Sequence, residues 1–354
     1  MRKKLLCITT GFHRSGAPIA LYGLLRILCR NDNYDISILA YEDGEMHTYY
    51  CDLIGTSNIE LIDALPCTKE FRDKIQNEYD LVILNTSVVY PFLFFFQNTS
   101  IPVYWWIHES PNLIESSCPG FPNPNLLSPN FRLFASSSGA QEIFRSYYSY
   151  NNISVLPVPI FMPHHSVDTL SLSVPDDRCV FFIPAAYTYI KGQDILLKAI
   201  ASLPANYIDR SFFVFCGYSL EKQSEYKSII MQMASKLDNV VMLDNLSHEE
   251  TMCIMDRSHC IVAPSRIDTI PMTIVEGMML KKIALVSDST GISHYIEDCQ
   301  NGFVFKDHDD LVKRLLLIIS DYENFTNIAE NGHFIYKDFF SPDAVDKICS
   351  SIGL

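Results

Sequence analysis

Positive charge is scarce in this chain: 27 Lys and Arg stand against 41 Asp and Glu, a formal net charge of −14 over 354 residues. A protein that grips a phosphate backbone gathers cations on one face. The shortage therefore argues against nucleic acid as a partner and leaves a single phosphorylated ligand, for which backbone amides and one or two cations suffice. Paired cysteines are missing too. The eleven cysteines include no C-x-x-C, and residues such as Cys7 in LLCITT and Cys216 in FFVFCG sit inside apolar runs, as buried thiols in a reducing compartment do. No His or Cys pair has ligand spacing with a second pair, and His164 and His165 fall in a polar stretch, so no metal site is expected. The acidic run Asp307–Asp310 resembles a metal-binding D-x-D, but reads rather as negative charge stabilising the positive N-terminal end of the helix that follows, LVKRLLLII. No apolar run is long enough to span a bilayer. The greasiest, Val88–Gln97, is about half a span and contains Pro91, so it reads as core or at most an interfacial patch. The charged and then briefly apolar start, MRKKLLCITTGF, is too short in its apolar part for a signal peptide and reads as a first strand. A cytoplasmic protein is expected.

Two nucleotide signatures are also absent. Neither half carries G-x-G-x-x-G after its first strand, which argues against hydride transfer. Gly11 and Gly16 have P-loop spacing, but Ala17 stands where that loop needs its Lys, so no ammonium reaches the outer phosphates of a triphosphate. What remains is a small-residue loop at a helix N-terminus. It either lets backbone amides approach a phosphate or simply needs glycine for its turn.

What is present is alternation. Short β-branched and aromatic runs (KLLCITT, DISILA, DLVILN, VYWWIH, RLFASS) alternate with amphipathic stretches such as Ala17–Cys29, the pattern of βα units building a parallel sheet. A polar stretch with neither periodicity, residues 160–177, reads as a linker. The alternation then restarts with CVFFIPA, FFVFCG, VVMLDN, CIVAP, ALVSD and FVF. The length fits two domains. Their expected bounds are 1–165 and 166–335, with a last helix in 336–354 that begins near Ser341 and Pro342 and could pack back on the first domain. The fold class is α/β, two Rossmann-like doubly wound domains facing across a cleft, with ligands beyond the carboxyl ends of the strands.

The segment CIVAPSRIDTIPMTIVEG is the most informative. A buried strand ends at Pro264, a loop carries Ser265, Arg266 and Asp268, and a helix begins near Pro271 and runs to Lys281 and Lys282. Free amides at such a helix start suit a diphosphate. Asp268 and Glu276 could accept hydrogen bonds from two sets of sugar hydroxyls; in the plainer alternative, Asp268 helps to cap the helix and Glu276 is an ordinary helix residue. Glu276 lies between TIV and GMML, where an unpartnered carboxylate is costly, so a partner for it is expected.

With Asp268 and Glu276 separated by seven residues after PSR, and with ALVSDSTGISHYI and NGFVF following, the chain resembles the retaining glycosyltransferases of family 4, the glycosyl transferases group 1 superfamily, which have the GT-B fold. The similarity extends upstream to YTYIKGQDILLKAI, and more loosely to SGAPIALYGLL and WWIHES. It implies that Lys191 is the cation on a donor diphosphate, Gly16 lies near the phosphates and His108 near the transferred sugar. By the same implication Arg266, Thr269, Ile270, Pro271, Met272, Thr273 and Glu276 hold the donor, with Glu276 on the ribose, and Asp268 holds sugar hydroxyls. Asp268, His108 and Lys191 form the implied catalytic set, without a metal ion or other cofactor. Three positions depart from the family pattern: Asp268 is one methylene shorter than the usual Glu, Ala186 replaces a basic residue five before Lys191, and PVPI replaces an Asn-Gly turn.

The implied activity is retaining transfer of a hexosyl group from a nucleoside-diphosphate sugar to a glycan or lipid-linked acceptor, as in surface polysaccharide or glycoconjugate synthesis. Two alternatives remain: a catalytically silent sugar-nucleotide-binding accessory subunit, favoured by Ala186, and a GT-B-type epimerase or hydrolase. Family members often dock on anionic lipid through basic faces. Here acidic residues outnumber basic ones over residues 1–165, so only weak peripheral contact with the inner face of a membrane is expected, through the aromatics near Phe92–Phe96.

Overall fold

The computed structural model describes residues 2–63, 68–162, 174–218, 224–244 and 246–354. Residues 163–173, the greater part of the expected linker with His164 and His165, lie outside the described residues. The chain forms two compact units, Met1–Pro159 joined by Pro342–Leu354, and Ile160–Ser341.

In the first unit, seven strands form one parallel sheet: β1 (Lys3–Gly11), β2 (Tyr34–Glu42), β3 (Ile59–Leu61), β4 (Leu81–Asn85), β5 (Val103–Ile107), β6 (Phe131–Ala135) and β7 (Ile153–Val155), in the order β3-β2-β1-β4-β5-β6-β7. Every residue of β4 and β5 is buried, because helices cover both faces of a central parallel strand. That is why LVILN and VYWWI read as continuous apolar runs without alternation. The greasy run after β4 forms short helical turns, Ser87–Phe92 and Leu93–Phe96, that send Phe92, Leu93 and Phe96 into the core and leave Phe94 exposed. Among the described residues no helix is long and apolar enough to cross a membrane.

The final helix, Pro342–Ile352, belongs to this unit. It buries Val345 and Cys349, and its last carbonyl, Ile352 O, accepts hydrogen bonds from Tyr104 Oη at 2.6 Å and Arg132 Nη1 at 3.1 Å. A cation at a helix C-terminus also complements the helix dipole.

In the second unit, β8 (Cys179–Pro184), β9 (Ser211–Gly217), β10 (Val240–Asp244), β11 (Cys260–Ala263), β12 (Ile283–Ser287) and β13 (Phe303–Phe305) form a parallel sheet in the order β10-β9-β8-β11-β12-β13. Its core is aromatic on β8 and β9, where Phe181 and Phe213 stack with centroids 4.6 Å apart, and aliphatic on the helices Gln193–Ala201 and His308–Asp321. Asp307 caps the second of these, its side chain accepting from Asp310 N at 2.9 Å, the role expected for that acidic run.

Both sheets therefore have the doubly wound order, reversing direction between β1 and β4 and between β8 and β11. At such a reversal the loops leaving the two strands diverge to opposite faces and open a crevice beyond the carboxyl ends. Among the described cysteines expected to be buried, Cys29, Cys51 and Cys253 are half-buried, and Cys299 is exposed, because a turn held by Asp298 and Gly302 carries it to the surface beside Arg314. Cys67 lies outside the described residues.

Candidate functional site

In the C-terminal unit the residues singled out in the sequence gather at the β8/β11 reversal. The loop after β8 turns at Gly192, whose φ of +69° is left-handed. A Cβ there would meet Pro264 O at 2.0 Å, so glycine is required for the β8 loop to touch the end of β11. The contact is sealed by Arg266 N donating to Ile190 O at 2.8 Å. Lys191 is thereby held against the second loop, and its Nζ donates to Asp268 Oδ2 at 2.6 Å. The two residues implied for separate roles thus form one ion pair, with the Lys191 side chain 31% and the Asp268 side chain 9% exposed. Asp268 is braced from the far side by a bridge to Thr290, and its carbonyl accepts from Gly291 N at 2.7 Å.

Arg266, among the residues implied to hold the donor, is anchored in the same pair of loops. Its guanidinium donates through Nη1 and Nη2 to the two oxygens of Asp194, both at 2.8 Å, and through Nη1 to Tyr189 O at 2.7 Å. It also lies 3.8 Å from the centroid of the Tyr189 ring. Asp194 receives Tyr226 Oη at 2.9 Å and has Lys198 at 3.5 Å. Burial pushes the Asp194 carboxyl up, but the hydrogen bonds from Arg266 and Tyr226 and the charges of Arg266 and Lys198 outweigh it and lower it to about 2. The bidentate fork matches a carboxylate's geometry. Arg266 therefore clamps the two loops together.

The following helix, Met272–Met279, starts after Pro271 at its N-cap and leaves Met272, Thr273 and Glu276 on its half-buried face, while Ile274, Val275 and Met278 are buried. Thr269 and Ile270 complete the loop before it and are also half-buried. Gly277 has a packing reason, since a Cβ would meet Ile261 Cγ1 of β11 at 2.6 Å. Glu276 has His248 as a neighbour, Nε2 to Oε1 3.9 Å, at the start of a helix fixed by the Ser247/Glu250 capping box.

In the N-terminal unit, Gly16 opens the helix Gly16–Leu28 after the β1 loop. Its φ is not positive and a Cβ would meet nothing within 4 Å, so neither turn geometry nor packing demands glycine there. His108 directly follows β5. Its Nε2 lies 2.8 Å from Asn85 Oδ1 at the end of β4, and its ring packs on Trp106 with centroids 4.5 Å apart. Burial pushes the His108 imidazole down to about 4, with the Glu109 charge opposing. It is neutral at physiological pH.

Sequence reading missed Asp194, Tyr189, Asn85, Glu109 and His248 as partners. Asp194 alone carried a signal, as the acidic position of KGQDILLKAI. The others are chosen by contacts between elements, which no local spacing encodes.

The glycosyl transferases group 1 family model matches residues 171–333. No curated protein sequence matches the chain. Among solved structures, HepE of Anabaena, in complex with UDP and glucose, is similar with a TM-score of 0.78 at 17% identity over 99% of each chain. The sucrose-phosphate synthase of Thermosynechococcus elongatus is similar with a TM-score of 0.75 at 13% identity, covering 99% of this chain and 98% of that one. WaaG, a glycosyltransferase involved in lipopolysaccharide biosynthesis, gives 0.71 at 11% identity, covering 97% and 99%. At these identities the likeness establishes the fold. The chain thus pairs two Rossmann-like units of the GT-B glycosyltransferase type, the second of them matching the glycosyl transferases group 1 superfamily.

Proposed function

We propose that the protein is a retaining glycosyltransferase of family 4 that moves a hexosyl group from a nucleoside-diphosphate sugar to a hydroxyl of a glycan or lipid-linked acceptor, without a metal ion. The observation that carries this reading is the Lys191–Asp268 pair, joined at 2.6 Å at the strand-order reversal beside the N-terminus of helix Met272–Met279. A diphosphate placed there meets an ammonium and free helix amides, both of which stabilise charge developing on the leaving group. Asp268 is already within one hydrogen bond of the cation, so it can accept from sugar hydroxyls while Lys191 turns to phosphate. Glu276, a turn further along the half-buried face of the helix, suits the ribose hydroxyls.

Lys191 is the cation assigned to the diphosphate, and Arg266, held by Asp194 and Tyr189 in the adjoining loop, is a further donor contact. Gly16 leaves open space at a helix N-terminus, room for a phosphate to approach backbone amides. His108, neutral and oriented, contacts the transferred sugar. HepE was solved with UDP-glucose, which makes uridine-diphosphate glucose the first donor to try.

The test is calorimetry of the whole chain against uridine, guanosine, adenosine and cytidine diphosphate sugars with no metal added. One donor should bind, with affinity reduced at least ~10-fold in Lys191→Ala, consistent with loss of a charge-assisted contact of about 1.5–3 kcal/mol. A folded protein that binds none of them would refute the reading and favour an accessory subunit. Donor consumption in the absence of acceptor, exceeding that in its presence, would point to epimerase or hydrolase chemistry.

A further inference from the structure

The carboxyl ends of β8 and β9 form a floor without side chains of any size. Ala185 and Ala186 follow β8, and Gly217 ends β9; all three are half-buried, so this stretch of backbone reaches the surface. A Cβ on Gly217 would meet Ala185 O at 2.1 Å and Ala186 Cα at 3.2 Å, so only glycine lets the two strand ends close up. The floor is fastened from within. Gln193, fully buried, donates through Nε2 to Ala186 O at 2.8 Å and to Ala185 O at 3.4 Å. Tyr187, fully buried and next after Ala186, reaches across to the neighbouring strand ends, its Oη donating to Leu243 O at 2.6 Å with Phe215 O at 3.2 Å.

An ion pair stands at the rim of this floor. Asp244 is the last residue of β10, and Lys227 lies in the first turn of helix Ser224–Ala234. Their Oδ1 and Nζ are 2.8 Å apart, and the ammonium lies 5.8 Å from the centroid of the Tyr187 ring. The Asp244 side chain is 61% exposed, and a pair this open to water adds little to stability. Lys227 has three N–H donors and the Asp244 carboxylate about four acceptor positions, of which their mutual bond takes one each. The helix that follows β10 links this rim to the rest of the site: it opens at His248, whose Nε2 is 3.9 Å from Glu276 Oε1. A nucleoside with its ribose at Glu276 therefore has the end of β10 as a neighbour.

We propose that Asp244 and Lys227 read the edge of the donor's base, laid flat on Ala185, Ala186 and Gly217, and select a lactam base, uracil or guanine. The inference rests on the glycosyltransferase reading and names its donor class. Uracil and guanine present a keto oxygen beside a ring N–H. The ammonium donates to the first and the carboxylate accepts from the second, both as charge-assisted hydrogen bonds. Adenine and cytosine present an unprotonated ring nitrogen beside an amino group, which sets the wrong partner against each charge unless the base turns over.

Calorimetry of the whole chain with uridine, guanosine, adenosine and cytidine diphosphates, and with inorganic pyrophosphate, separates base from phosphate. The parent should bind the uridine or the guanosine diphosphate at least ~30-fold more tightly than the adenosine and cytidine compounds, as a site built to hydrogen-bond its ligand does. In Lys227→Met and in Asp244→Ala that ratio should fall to within ~3-fold while affinity for pyrophosphate stays within ~2-fold. Lys191→Ala should weaken all four alike and leave the ratio standing. The double exchange Lys227→Asp with Asp244→Lys restores the ion pair but reverses donor and acceptor, so a merely structural role would be rescued whereas the base preference stays lost. Should one rim variant fail to fold, the other decides. A parent without preference or preferring adenosine or cytidine diphosphate, a ratio unchanged in either folded rim variant, or its rescue by the exchange overturns the base assignment and leaves the transferase reading in place. A folded parent that binds no nucleoside diphosphate sinks both.

Discussion

Asp194→Asn tests whether the Arg266–Asp194 clamp holds the C-terminal unit's loops together. The substitution keeps shape and one acceptor but removes the charge that meets two 2.8 Å guanidinium bonds, a 2.9 Å tyrosine bond and Lys198 at 3.5 Å. With the carboxyl held at about 2 against an ordinary 3.8, a full conversion at 1.4 kcal/mol per unit gives an upper figure of about 2.5 kcal/mol. Solvent screening on the Lys198 side reduces this to about 2 kcal/mol. At a urea slope of roughly 2.5 kcal/mol per molar, the midpoint should fall by about 0.8 M. The two tryptophans, Trp105 and Trp106, both lie buried in β5 of the N-terminal unit, so their fluorescence follows that unit while circular dichroism follows both. The dichroism transition should move and the tryptophan transition should move less. The depressed carboxyl contributes stability above its unfolded value near 3.8 and loses it as pH falls through about 2, so the gap between the two proteins should hold steady from pH 8 to 5. A dichroism midpoint within about 0.2 M of the parent, against the slope used here, would show that the clamp contributes little and that the argument from its geometry is wrong.

Other outcomes follow from the same contacts. Gly192→Ala combines a left-handed φ with a 2.0 Å clash against Pro264 O, so the C-terminal unit should lose about 3 kcal/mol or fail to fold, measured by the same dichroism transition. Gly16→Ala meets open space, so thermal stability should stay within about 0.5 kcal/mol while donor affinity drops; retained affinity in calorimetry would remove Gly16 from the site. Glu276→Gln should weaken donor binding about 10-fold with the fold intact, and unchanged affinity and turnover would refute its ribose role. Burial holds His108 neutral, its folded value about 4 against an ordinary 6.5, so the unfolded chain binds the extra proton between those values. That share of the N-terminal unit's stability is complete above pH 6.5 and lost as pH falls toward 4; His108→Gln should flatten the decline in the tryptophan-monitored midpoint.

The strands were legible in the sequence because a strand buried on both faces must be apolar along its length. LVILN, VYWWI, CVFFIP and IALVS leave no other reading at their length, and helices such as Gly16–Leu28 declare themselves by amphipathic spacing. The two edge strands of the first sheet, β3 and β7, three residues each, are not among the runs named from the sequence. The residues of the candidate site were legible as well, from the fixed spacing of Asp268 and Glu276 after PSR and from the K-G segment. Their partners were not. Arg266 and Asp194 are 72 residues apart, Lys191 and Asp268 are 77, and His108 and Asn85 are 23. Each pair meets only because a strand order reverses or two strands lie side by side. Local periodicity records which side of an element faces the core and says nothing of which loop waits there. Tertiary structure therefore decided that Arg266 grips Asp194, that Lys191 rests on Asp268 and that His108 meets Asn85, because these depend on the distances that packing imposes.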